Sequence, residues 1–155
     1  MPYTVTLYGA GQSLIQSVSG TLELPALATV PVFVPNIPSG AQTVTSAFLT
    51  IDPSAIGWYA AAGTRVIPTI SNTTLGGTSG APNIVATLAN PSVTQLNNVR
   101  VIVIVHSATG NVIAASQTIV PSISAQGSGT ATFTWNAPFP GVPASIEVVP
   151  IIPLP

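Results

Sequence analysis

The chain has 155 residues, of which 3% are charged, against about 25% in an ordinary soluble domain. A net charge of −1 excludes the basic surface that phosphate recognition needs, so no nucleic-acid partner is expected. The absence of cysteine and lysine excludes disulfides, thiolate metal sites and Lys–Asn cross-links.

Mean hydropathy is +0.61, yet the longest apolar runs, such as residues 101–105, fall far short of the roughly 18 residues of a membrane-spanning helix. The chain is therefore expected not to span a membrane. Little charge combined with much apolar surface leaves little to keep copies apart, and association is the expected result. No cationic segment followed by an apolar run opens the sequence, as a secretory signal would; a processed chain, or one released by lysis, is expected.

In chain order, segments rich in Val, Ile, Thr, Phe and Tyr alternate with Gly, Pro, Asn and Ser clusters. Strands are predicted at residues 3–8, 14–24, 29–34, 43–51, 65–70, 83–89, 98–106, 112–120, 130–135 and 145–152. The first alternates cleanly, with Tyr3, Val5 and Leu7 on one face and Thr4, Thr6 and Tyr8 on the other, and Gly9-Ala10-Gly11 follows as a joint. One helix is predicted at residues 53–62, opened by Pro53 and stopped by Gly63. Residues 98–106 and 112–120 form a predicted hairpin with Gly110 at a positive-φ position. Its first strand is apolar on both faces, Val101, Val103 and Val105 against Ile102 and Ile104, and is expected to be covered on both sides. About ten short strands without an alternating helical pattern predict an all-β sandwich, Ig-like or jelly-roll-like.

Catalytic chemistry finds little to work with. His106 is the lone histidine, no Gly-x-Ser-x-Gly surrounds a serine, and Glu23, Asp52 and Glu147 lie in three separate segments. The three acids are expected to pair with Arg65 and Arg100 rather than to act as a carboxylate couple. One histidine, three scattered acids and no cysteine make no metal-ligand set, and Gly9-Ala10-Gly11 and Gly76-Gly77-Thr78-Ser79-Gly80 lack the remaining residues of nucleotide loops. No enzyme activity, cofactor or metal is expected. Trp58, Tyr59 and Trp135 could form an aromatic sugar-binding platform, although packing is the commoner use of such residues. Asn72-Thr73-Thr74 is a glycan-acceptor sequence, placed by its neighbours in a turn-rich loop.

Asn90-Pro91-Ser92, Asn97 through Val103, Gly110-Asn111-Val112-Ile113 and Gly129 through Trp135 together resemble the Ig-like sandwich modules of archaeal surface proteins. With so few charges and so many strand threonines, the whole chain resembles subunits of archaeal extracellular filaments (bundling pili and threads) or of archaeal virus fibres. That resemblance implies an extracellular structural subunit that polymerises with identical copies by donating a terminal strand. The donor would be the N-terminal segment bearing Tyr3, Val5 and Leu7, so that residues 1–11 form strand and joint and residues 12–155 the sandwich. Cell-surface or host glycans are further expected partners. Two other readings stand beside it, a capsid or coat subunit and a monomeric carbohydrate-binding or surface module.

Overall fold

The computed structural model describes residues 1–24, 29–58 and 66–152. Among them the chain is all-β, with three three-stranded antiparallel sheets. It divides into two compact units, Met1–Ala62 and Gly63–Pro155.

The first unit holds β1 (Pro2–Tyr8), β2 (Leu14–Thr21) and β3 (Ser46–Ile51) in the order β2-β1-β3. Leu22 and Met1 exchange N–H···O bonds of 2.9 Å, which anchors the β1–β2 ladder, and Asp52 N–H donates to Pro2 O at 3.2 Å, which anchors β1–β3. The predicted strand at 29–34 makes no ladder, because Pro31 and Pro35 remove amide donors inside and just after it. The helix predicted at 53–62 is reduced, in its described part, to a 3-10 turn at Pro53–Ala55. Asp52 caps that turn, and extended backbone at Ile56 ends it. Residues 59–62 lie outside the described residues.

The second unit holds β4 (Thr69–Thr78), β5 (Ala81–Ala89), β6 (Leu96–Ser107), β7 (Val112–Ile123), β8 (Ser128–Thr134) and β9 (Pro143–Ile151). They form the sheets β4-β5-β8 and β7-β6-β9. One sheet sends Ile84, Ala86, Leu88, Ala131 and Phe133 into a core, and the other sends Val99, Val101, Val103, Val105, Val120 and Ile123 into the same core. Burying each Val, Leu, Ile or Phe of this cluster contributes about 1.5–3 kcal/mol, so the cluster supplies the unit's main stabilisation. Strand β6 is closed on its core face from Val99 to Val105, while on its outer face Ile102 is 2% exposed, Ile104 is half-buried and Arg100 is exposed.

The strand predicted at 65–70 instead runs from Thr69 to Thr78, so the glycines read as a loop form the end of β4. Ile70 packs against the core and Leu75, 44% exposed, lies farther along the same side of the sheet, because a register shift between Ile70 and Asn72 bulges Ser71 out so that both apolar residues keep one face. The hairpin between β6 and β7 closes with Gly110 at φ +80°, Gly110 N–H donating to Ser107 O at 2.9 Å. Arg65 falls outside the described residues, as do Pro153 and Pro155.

Candidate functional site

The sheet of the first unit has two unlike faces. In an antiparallel ladder opposed residues share a face. The pairings Tyr3 with Gly20 and Ile51, Val5 with Val18 and Leu49, and Leu7 with Gln16 and Ala47 therefore assemble one predominantly apolar face. The other carries hydroxyls. Thr4 Oγ1 lies 2.9 Å from Ser19 Oγ and Thr6 Oγ1 lies 3.4 Å from Ser17 Oγ. At one end of that hydroxyl face Tyr8 and Phe48 meet edge-on, ring centroids 5.7 Å apart.

Cover on the apolar face falls away toward β3. Leu7 on β1 is 8% exposed, whereas Leu49 and Ile51 on β3 are 53% and 38% exposed and Phe48 on the opposite face is 59% exposed. Leu7 and Leu22 are the buried large apolar residues among the described residues of this unit. Among the described residues its sheet thus has no core comparable to that of the second unit.

Tyr3, Val5 and Leu7 are brought together on one face of the central strand β1, which in this chain is paired on both sides, by β2 and by β3. Sequence reasoning named those three and missed Ala47, Leu49 and Ile51. The signal was present in Ser46-Ala47-Phe48-Leu49-Thr50-Ile51, six residues with no charge and no proline that include the strand formers Phe48, Thr50 and Ile51.

In the second unit Asn72 lies on strand β4 and not in a turn-rich loop. It is exposed, and its Nδ2 donates to Thr74 Oγ1 at 3.4 Å. The pairings place Asn72, Thr74, Thr87, Thr130, Thr132 and Thr134 on the outer face of their sheet. Glu147 finds its partner in His106, Nε2 to Oε2 3.6 Å, and not in an arginine. Trp135 is half-buried and meets Phe139 edge-on at 5.0 Å beside the core, so packing takes up the ring offered for a sugar platform. Trp58 belongs to the other unit and is 86% exposed, and Tyr59 lies outside the described residues. An open cleft of about 440 Å³ is lined by Leu75, Pro82, Pro138, Phe139, Val142 and Pro143. It is apolar and offers no titratable group.

Among the described residues no three of His, Cys, Asp and Glu are grouped to hold a metal ion, and no helix is long and apolar enough to cross a membrane. Compared with known proteins, the chain matches no family model and no curated protein.

Proposed function

We propose that the chain is a structural subunit that associates with identical copies into an extracellular fibre, a pilus-like filament or a virion appendage. The observation that carries this reading is the poorly covered sheet of the first unit. Phe48, Leu49 and Ile51 stand open to solvent on a strand without charge, in a chain with five charged side chains in all. Exposed apolar surface of this kind marks association, and so small a net charge does not oppose it. In this reading the second unit is an Ig-like or jelly-roll-like sandwich, stable through its own core.

Strand β1 is the proposed exchangeable element. A strand bearing Tyr3, Val5 and Leu7, held between β2 and β3 and followed by Gly9-Ala10-Gly11, can make the same ladder in a neighbour as at home. Exchange in one direction produces a heterologous contact, which grows as an open filament. Asn72, exposed on the threonine-rich outer face, is the proposed glycan acceptor, and surface glycans are proposed partners.

Negative-stain microscopy of the purified chain tests the reading. Threads are expected. Closed particles would instead support a coat subunit, and dispersed single molecules at high concentration a surface module. Deleting residues 1–9 is expected to abolish threads, and threads that persist would remove β1 from the role of donor.

A further inference from the structure

The outer edges of the second unit's sheets are blunted in ways that stop unwanted pairing. Strand β9 carries Pro143, Pro150 and Glu147, β7 carries Pro121 and a register shift, and β4 is bulged at Ser71. Strand β8 lies beside β7. Strand β3 has none of these devices. It pairs with β1 on one side without any register shift, contains neither proline nor charge, and among the described residues presents an unpaired edge on the other side.

Which of its backbone groups face that open edge follows from the ladder. Asp52 N–H is bonded to Pro2 O. The alternation of an antiparallel pair then turns the groups of Thr50, Phe48 and Ser46 toward β1 and those of Ile51, Leu49 and Ala47 away from it. The free donors and acceptors are therefore spaced symmetrically about Leu49. A twofold axis perpendicular to the sheet at Leu49 sets a second β3 antiparallel to the first, with Ala47 opposite Ile51 and Leu49 opposite itself. Every outward N–H then meets an outward C=O.

We infer that β3 is a self-complementary edge, and that two copies of this chain join there into one continuous six-stranded antiparallel sheet with Leu49 on the twofold axis. The same operation keeps Ala47, Leu49 and Ile51 of both copies on one face and joins their exposed apolar surfaces. No charge on either edge resists the approach. The inference rests on the self-association proposed above and names one of its contacts. Such a pair is isologous and closes on itself, so a fibre requires β1 exchange or another contact to extend it.

The chain contains no native cysteine, so a single introduced thiol reports the contact. In a hydrogen-bonded antiparallel pair the opposed Cα atoms are about 5.5 Å apart, inside the disulfide range. The full chain carrying Leu49→Cys is expected to oxidise to a covalent dimer at least tenfold faster than one carrying Phe48→Cys, whose thiol faces the hydroxyl side, where the twofold sets it opposite Thr50. Ala47→Pro removes an outward amide and spares every bond to β1. Leu49→Lys keeps the amide but sets two charges on the axis. Each is expected to lower the fraction of associated chain at least tenfold by light scattering, with an unchanged circular-dichroism spectrum. If the chain self-associates while the two thiols oxidise equally, or while the folded Ala47→Pro and Leu49→Lys variants associate as before, this edge is not the contact and the fibre reading stands. If the unmodified chain remains a monomer at millimolar concentration, both fall.

Discussion

The ring of Tyr3 lies over Gly20, its opposite number on β2, so closely that a Cβ at Gly20 would stand 2.6 Å from the Tyr3 hydroxyl oxygen. Glycine weakens a strand by its flexibility and lack of side chain, and an aromatic neighbour restores the missing cover. Replacing Gly20 by Ala is expected to reverse sign with the background. With Tyr3 present, the ring is displaced and about 1 kcal/mol of its packing is lost. With Tyr3→Ala, the same change is expected to stabilise by about 0.4–1 kcal/mol, through the lost freedom of the unfolded chain. A thermal-unfolding cycle of the four chains measures both, and equal effects in the two backgrounds would show that ring and glycine are not in contact.

Asn90 is expected to be the most sensitive polar position of the second unit. It is 2% exposed, and its Nδ2 donates to Thr94 O at 2.8 Å, Ser124 O at 3.0 Å and Ile123 O at 3.3 Å, while its Oδ1 accepts from Ser92 N–H at 3.0 Å. One side chain thus ties the end of β5 to the end of β7. Leaving a buried polar group unsatisfied costs about 1–3 kcal/mol, so Asn90→Ala is expected to lose about 2–4 kcal/mol in urea unfolding. Asn90→Asp is expected to lose more, because a carboxylate would face three carbonyl oxygens. A loss below about 0.5 kcal/mol for either change would mean that the amide does not hold the corner.

These positions differ in how far the sequence revealed them. The two-sided apolar run around Val103 declares a covered strand, and Gly110 declares its turn, because both signals are local. Asn90 gives no such signal. As a residue in Asn-Pro-Ser it reads as an ordinary turn, and its burial arises from carbonyls more than 30 residues away. The course of β4 was hidden for a related reason: Gly76 and Gly77 read as punctuation, and only the pairing with Asn83 and Pro82 makes them strand. On the candidate surface, the alternation of β1 was legible because polar and apolar residues take turns. The open edge of β3 was not, since an edge is defined by which strand is missing beside it.

Gly77 gives a direct check on that pairing. Its φ is +80°, and an added Cβ would lie 2.4 Å from Ala81 O, a backbone atom that cannot move without opening the hairpin. The left-handed conformation alone costs a non-glycine residue about 1–2 kcal/mol. Gly77→Ala is therefore expected to lose at least about 2 kcal/mol, while Gly80→Ala in the same turn, with open space around it, is expected to lose less than about 1 kcal/mol. Equal losses at the two positions would place the turn elsewhere.

Acid is expected to loosen the end of β3. The Asp52 carboxylate accepts from Ser54 Oγ–H at 2.6 Å and from Ser54 N–H at 2.9 Å, and these bonds hold its pKa below the ordinary carboxylate value. A group whose pKa is lowered on folding contributes stability above its unfolded pKa and loses it as pH falls through the folded one. Corrected for the intrinsic slowing of amide exchange in acid, the Ser54 amide should therefore be best protected at neutral pH and lose protection as pH falls through the lowered Asp52 pKa. Asp52→Asn keeps an acceptor oxygen and should remove the pH dependence. An acid-induced change of the same size in that variant would assign the effect to another group.

The two units are expected to behave differently when each is expressed alone. Gly63–Pro155 contains both sheets and the whole cluster around Val103 and Phe133, so it should unfold cooperatively and remain monomeric. Among its described residues Met1–Ala62 has a single three-stranded sheet whose exposed apolar residues concentrate on β3, and a lone sheet with an open apolar face is marginal in water. It should either associate or lose its structure on dilution, with a thermal midpoint that rises with concentration. Leu49→Lys should suppress that concentration dependence by placing a charge at the open edge. A first unit that is monomeric, cooperative and indifferent to dilution would show that its sheet needs no second copy, and the fibre reading would lose its physical basis.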